Sequence, residues 1–335
     1  MRAFQIPAVV TCLMAVAARA ETPSDWMKTL KESSEKGQYQ FQPEREAALL
    51  APFGSATTEE CREAIPALIA LINDPKGMPS ALHWFMAHEA LFAMTWSRIQ
   101  RAKAPSAGCM SAEDHDMLSE IGEGGGKPGV PPPTWATWWE ANKSKDRQEW
   151  RRSGIAGLMV DIRAHGKKRW PAIHALEDLG ALGKVAWEFV GEKDLDVIRA
   201  LPLQEDADHM VRSQAATALA GMEDAHADEL GEKLALDSSK AWRDRESGIQ
   251  ALEKLGKAGV PALLRVARRL GAIEGVLDPG GDGAIWANAM TSLGRLGGDP
   301  KAYVMTIPDK AADRVKAVGL LEDKWGIKPA EPKKE

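Results

Sequence analysis

Small and apolar residues recur at helical spacing in four stretches: WPAIHALEDLG (170–180), VRSQAATALAGM (211–222), RESGIQALEKLG (245–256) and WANAMTSLGRLG (286–297). In the third, Ile249, Leu252 and Leu255 share one helical face with charges between them, the pattern of an amphipathic helix. Aligned on a small residue followed by leucine, the stretches place Leu176, Leu219, Leu252 and Leu293 at intervals of 43, 33 and 41 residues. A fifth stretch, LHWFMAHEALFAMT (82–95), carries Leu91 85 residues before Leu176, about two further periods. Gly180, Gly256 and Gly297 stand where such helices should stop, because glycine enters the left-handed conformation of a helix end without strain. The chain predicts repeated helices.

Second helices follow. VPALLRVARRL (260–270) has Pro261 just inside its predicted start, where a missing N–H costs nothing. IPALIALIND (65–74) has the same form around Pro66, and HADELGEKLAL (226–236) is a less regular example. Units of 33–43 residues, each a pair of antiparallel helices, resemble HEAT repeats over roughly 59–102 and 168–325. The resemblance implies an all-α fold, a right-handed α-solenoid in which neighbouring pairs stack to bury faces they cannot bury alone. No strand pattern or βαβ unit competes with it.

The regions outside the repeats divide the chain further. Residues 1–20 read as a signal peptide, 21–58 as N-terminal capping helices (SDWMKTLKES and PEREAALL), and 59–103 as a first HEAT-like section. Residues 104–134, with EGGGKPGVPPP, predict a flexible insertion, long for a repeat connection. A Trp-rich helix pair and the main array fill 135–327, and the polar KPAEPKKE (328–335) predicts a disordered tail.

The signal-peptide reading rests on Arg2, the uncharged run AFQIPAVVTCLMAVA and Ala18-Arg19-Ala20, a small-x-small cleavage pattern before Glu21. It implies a periplasmic or secreted protein. Cys12 is followed by LMAVAARA, so a lipid anchor is not expected, and no other stretch of about eighteen apolar residues exists. Removing Arg2 and Arg19 leaves 41 basic against 48 acidic residues, a formal charge of −7, which argues against nucleic acid as partner.

Tryptophan outnumbers the other aromatics, 12 against 6 Phe and 2 Tyr, and four fall in PPPTWATWWEANKSKDRQEW (131–150). Trp135, Trp138 and Trp139 stand at i, i+3 and i+4, so one helical face carries all three. Thr134 is a suitable N-cap, Asp146 and Glu149 suit a capping box for a helix starting near Arg147, and Trp150 falls in its first turn. The block therefore predicts a helix–turn–helix with a structural Trp cluster. It resembles the WxxWWExNK…W segments of secreted bacterial HEAT-repeat proteins, a resemblance that brings no catalytic residue. A basic run follows, in which Arg147, Arg151, Arg152, Lys167, Lys168 and Arg169 are candidates for binding an acidic partner, a glycan or a polyanion.

Cys61 and Cys109 could form one disulfide, closing a 49-residue loop and stabilising by roughly 4 kcal/mol, or remain separate thiols. No metal is expected: HEALF (88–92) has Phe92 where a zincin needs its second histidine, and His83 and His88 do not share a face. In DPGGDG (278–283), an EF-hand loop would need a glutamate at Ala289. EGGGKPG lacks the Ser or Thr of a P-loop, and no nucleophile elbow is present, so neither cofactor nor catalytic residue is expected. HEAT-like lyases that attach bilin chromophores are a further resemblance, but they are cytosolic. The reading is an exported, non-enzymatic HEAT-like scaffold that binds a protein partner, with glycan or polyanion binding as the alternative.

Overall fold

The computed structural model describes residues 22–35, 43–73, 81–99, 134–167, 169–299, 302, 304 and 306–327. The expected signal peptide, the insertion up to residue 133 and the tail lie outside the described residues. Among the described residues the fold is all-α, with no strand. The helices are α1 (Pro23–Glu35), α2 (Pro43–Ser55), α3 (Thr58–Asn73), α4 (Ala81–Thr95), α5 (Trp135–Asn142), α6 (Arg147–Arg163) and α7 (Arg169–Leu182). They continue as α8 (Glu192–Ala200), α9 (His209–Gly221), α10 (Ala227–Leu236), α11 (Trp242–Lys254), α12 (Val260–Gly271), α13 (Asp282–Leu296) and α14 (Ala311–Trp325). The chain forms two compact units, residues 1–175 with 188–190 and residues 176–187 with 191–335.

In the first unit α4 carries apolar residues on every side, with Glu89 held by Arg98 at 2.6 Å, and a helix of that kind belongs in a core. Its neighbours are α1, α2, α3 and α6, and Met86, Ala90, Leu91 and Met94 are fully enclosed. Helix α3 starts at Thr58, well before the start that Pro66 suggests. Thr57 and Glu60 close a capping box: Thr57 N donates to Glu60 Oε2 (2.7 Å) and Glu60 N to Thr57 Oγ1 (3.3 Å). Pro66 is therefore interior and exposed, so the Arg62 carbonyl that loses its helical donor can face water.

In the second unit α9, α11 and α13 lie side by side and parallel. Their first turns are joined by Arg212–Asp244 and Arg245–Asp282, both 2.7 Å, and the last turns of α11 and α13 by Arg295–Glu253 at 3.1 Å. Against them pack α10 and α12, running oppositely and bridged by Arg265–Glu232 at 2.6 Å. Backbones approach closely where glycines meet. A Cβ on Gly248 would lie 2.5 Å from the Gly231 carbonyl, and one on Gly221 would strike the Gly180 carbonyl. The unequal intervals have a simple origin: the connection into α11 spans five residues (237–241), while that into α13 spans ten (272–281).

The array ends differently from how it runs. Beyond α13, Val304 N donates to Thr291 Oγ1 (3.1 Å) and Ile307 lies against Gly283. Helix α14 then packs on α12 in the opposite direction, its N-terminal Arg314 at the carbonyl of Gly271. Arg245 is the more enclosed arginine of the two first-turn ion pairs, with a side chain only 5% exposed. Arg245→Met should cost about 3 kcal/mol, since it strands a carboxylate and a helix-end carbonyl. Lys184→Met, which breaks the exposed pair with Glu223, should cost under about 0.5 kcal/mol. Equal losses in urea unfolding would refute this ranking.

Candidate functional site

The Trp-rich segment is a capped pair of helices. Thr134 caps α5 in a box with Thr137, and Asp146 caps α6 in a box with Glu149. Trp150 is fully buried and Trp135 5% exposed, while Trp138 and Trp139 are half-buried. Trp135 and Trp138 meet along α5 at 5.5 Å, and rings meet across the turn as Trp138–Trp150 at 6.2 Å and Trp139–Trp150 at 5.9 Å. Their polar edges are occupied too. Trp150 Nε1 donates to the Asn142 carbonyl (2.8 Å), and Trp135 Nε1 donates to His88 Nδ1 (3.0 Å). That last bond gives the histidine of HEALF an acceptor role in packing. These rings form part of the unit's interior.

The basic run divides. Arg147 turns inward and donates to the carbonyls of Phe53, Gly54, Ala56 and Met94, so its guanidinium closes the C-terminal end of α2. Arg151 lies over the Trp96 ring at 4.4 Å and shares the Gly54 carbonyl; its Nε is buried without an acceptor. Burial lowers the pKa of Arg147, and burial together with Arg147 lowers that of Arg151 to about 10. Arg152, Lys167 and Arg169 are exposed, and Arg169 lies 5.2 Å from the Trp170 ring. Lys168 lies outside the described residues, as does Cys109. The run is thus not one basic surface. Cys61 is a free, fully buried thiol whose pKa burial raises to about 11.

A second set of arginines escaped the sequence reading. Arg212, Arg245 and Arg314 are each the fourth residue of their helix. Arg212 pairs with Asp244 and donates to the Ala207 carbonyl. Arg245 pairs with Asp282 and donates to Ala235 O at 2.9 Å. Arg314, fully buried, serves the carbonyls of Gly271, Ile273, Gly275, Pro308 and Asp309. A signal was available: a cation in a helix's first turn opposes the helix dipole, so three of them imply acceptors from elsewhere. In DPGGDG, Asp282 takes the Arg245 pair, and Asp278 accepts from Gly280 N at 3.0 Å.

These arginines place the first turns of α9, α11, α13 and α14 at one edge of the second unit, together with the connections that lead into them. Met210, Trp242, Ile273 and Val276 are exposed there. Among the described residues no three His, Cys, Asp or Glu side chains could together hold a metal ion, and no helix is long and apolar enough to cross a membrane. No family model and no curated protein matches the chain.

Two outcomes follow for the first unit. Trp150→Ala should cost about 3–5 kcal/mol, well above Trp139→Ala, whose ring is half-buried; chemical unfolding that ranks them the other way would contradict the packing. With Cys12 and Cys109 replaced by alanine, native Cys61 should resist a thiol reagent at pH 8 and react at once in denaturant. Its raised pKa adds stability that is complete below the unfolded thiol's pKa near 9 and lost as pH climbs towards 11. Rapid labelling of the native protein at pH 8 would show the thiol to be accessible.

Proposed function

We propose that the chain is an exported, HEAT-like α-solenoid that works by binding another protein and has no chemistry of its own. One observation carries the reading: α9, α11 and α13 are stacked in parallel against α10 and α12, the arrangement through which helix pairs build extended binding surfaces. The repeated leucines and the uncharged N-terminal run with its small-x-small pattern support the fold and the export. The acidic balance speaks for a protein partner over nucleic acid.

Glycan or polyanion binding has less support. That reading needs exposed tryptophans beside a continuous basic face, whereas Trp135 and Trp150 are buried and Arg147 serves carbonyls.

The test is recovery of the exported protein after cross-linking in the producing cells. Reproducible enrichment of a defined protein, with a mature N-terminus at Glu21, is the expected result. Recovery of the chain alone under several cross-linkers would defeat the scaffold reading, and a retained Met1 would defeat the export.

A further inference from the structure

The edge formed by the first turns of α9, α11, α13 and α14 combines two properties that do not usually occur together. Seven large apolar side chains are exposed among the described residues, and four of them lie here: Met210 (36%), Trp242 (45%), Ile273 (39%) and Val276 (73%). The segments that make the edge, 204–210, 237–243, 272–281 and 308–313, hold eight carboxylates against three Lys or Arg. Two of those three cations are already engaged. Lys240 faces Glu205 at 3.8 Å with its side chain mostly buried, and Arg243 lies over the Trp242 ring.

Part of this acidity has a local purpose. Asp208 caps α9, Asp237 accepts from Ser239, and Asp278 accepts from Gly280. Asp206 and Glu274 are exposed and do none of these things. Glu274 sits between Ile273 and Val276, so apolar and acidic groups alternate along one loop. At the other end of the parallel helices acids and cations mix: Lys254 follows Glu253 at the end of α11, Arg295 of α13 pairs with that Glu253 at 3.1 Å, and Lys324 follows Glu322 and Asp323 in α14.

We propose that this acidic, apolar-studded edge docks a cationic amphipathic segment of a partner protein, one carrying Lys or Arg between large apolar side chains. The inference rests on the scaffold reading and names the kind of partner and the face it meets. Charge complementarity selects the occupant: the carboxylates attract and orient the cations, while Trp242 gives an anchor of the kind that dominates interfaces and Val276 adds apolar area on the same edge. The same carboxylates repel an anionic lipid surface.

The probe is a fluorescently labelled synthetic helix of Lys and Leu, with a Glu and Leu helix of equal length as control, followed by anisotropy on the full mature chain. The Lys/Leu helix should bind with an affinity that falls as salt rises, and the Glu/Leu helix should not. Trp242→Ser with Val276→Ser, and separately Asp206→Lys with Glu274→Lys, should each weaken binding at least tenfold. All four positions are exposed, so the melting temperature should stay within a few degrees. Val160→Ser, an exposed apolar site in the other unit, should leave binding unchanged.

Equal binding of the two helices, undiminished binding by both double variants, or capture of anionic vesicles in place of the peptide would overturn the proposal. If it fails while cross-linking still recovers a partner, the scaffold reading survives and the contact lies on another face. If cross-linking recovers nothing, the reading beneath it has failed.

Discussion

An arginine buried at the end of somebody else's helix is the interaction on which the second unit depends. The last carbonyls of a helix have no intrahelical donor, and left unpaired in an interior they would cost more than their hydrogen bonds return. Arg245 supplies a donor to Ala235 at the end of α10, and Arg314 to Gly271 at the end of α12. Because each arginine also reaches the next first turn or the chain leading into its own helix, one side chain sets the order, direction and spacing of three segments. Apolar burial drives these helices together, but an apolar stripe alone permits sliding. A planar guanidinium with fixed donors does not. Arg147 has the same task in the first unit, at the end of α2.

How far this was visible in the sequence depends on the distance over which each residue acts. The repeated leucines were readable because a helix turns every 3.6 residues wherever it sits. Thr134, Asp146 and Glu149 were readable because a cap acts within three residues. Arg147 was not: its acceptors at Phe53, Gly54 and Ala56 lie 91 to 94 residues away, and nothing in its neighbours distinguishes a guanidinium facing water from one facing carbonyls. The start of α3 misled for the opposite reason. Pro66 is a strong local mark, but the Thr57–Glu60 box lies earlier and begins the helix first. The tryptophans were placed correctly on one helical face by spacing, while the role of His88 as acceptor for Trp135 required the fold.

The same constraint explains why one edge of the unit is acidic. Parallel helices held in register bring their positive N-terminal ends to one edge, and carboxylates at that edge are favoured by the dipoles. Fourth-position arginines would be unfavourable there in isolation, yet they are buried beneath the edge and bonded to carbonyls and to Asp244 and Asp282. The positive charge is thus taken up inside while the negative charge remains outside. The acidic edge is a consequence of how the stack is locked.

What the dipoles do not require is the apolar part. Trp242 opens α11 at 45% exposure, and Val276 stands at 73% in a ten-residue loop where the equivalent connection manages with five. A row of carboxylates alone would mean good solubility and well-capped helices. Carboxylates interrupted by large apolar side chains, on the one edge where the repeat spacing is irregular, are what the proposed docking of a cationic segment requires.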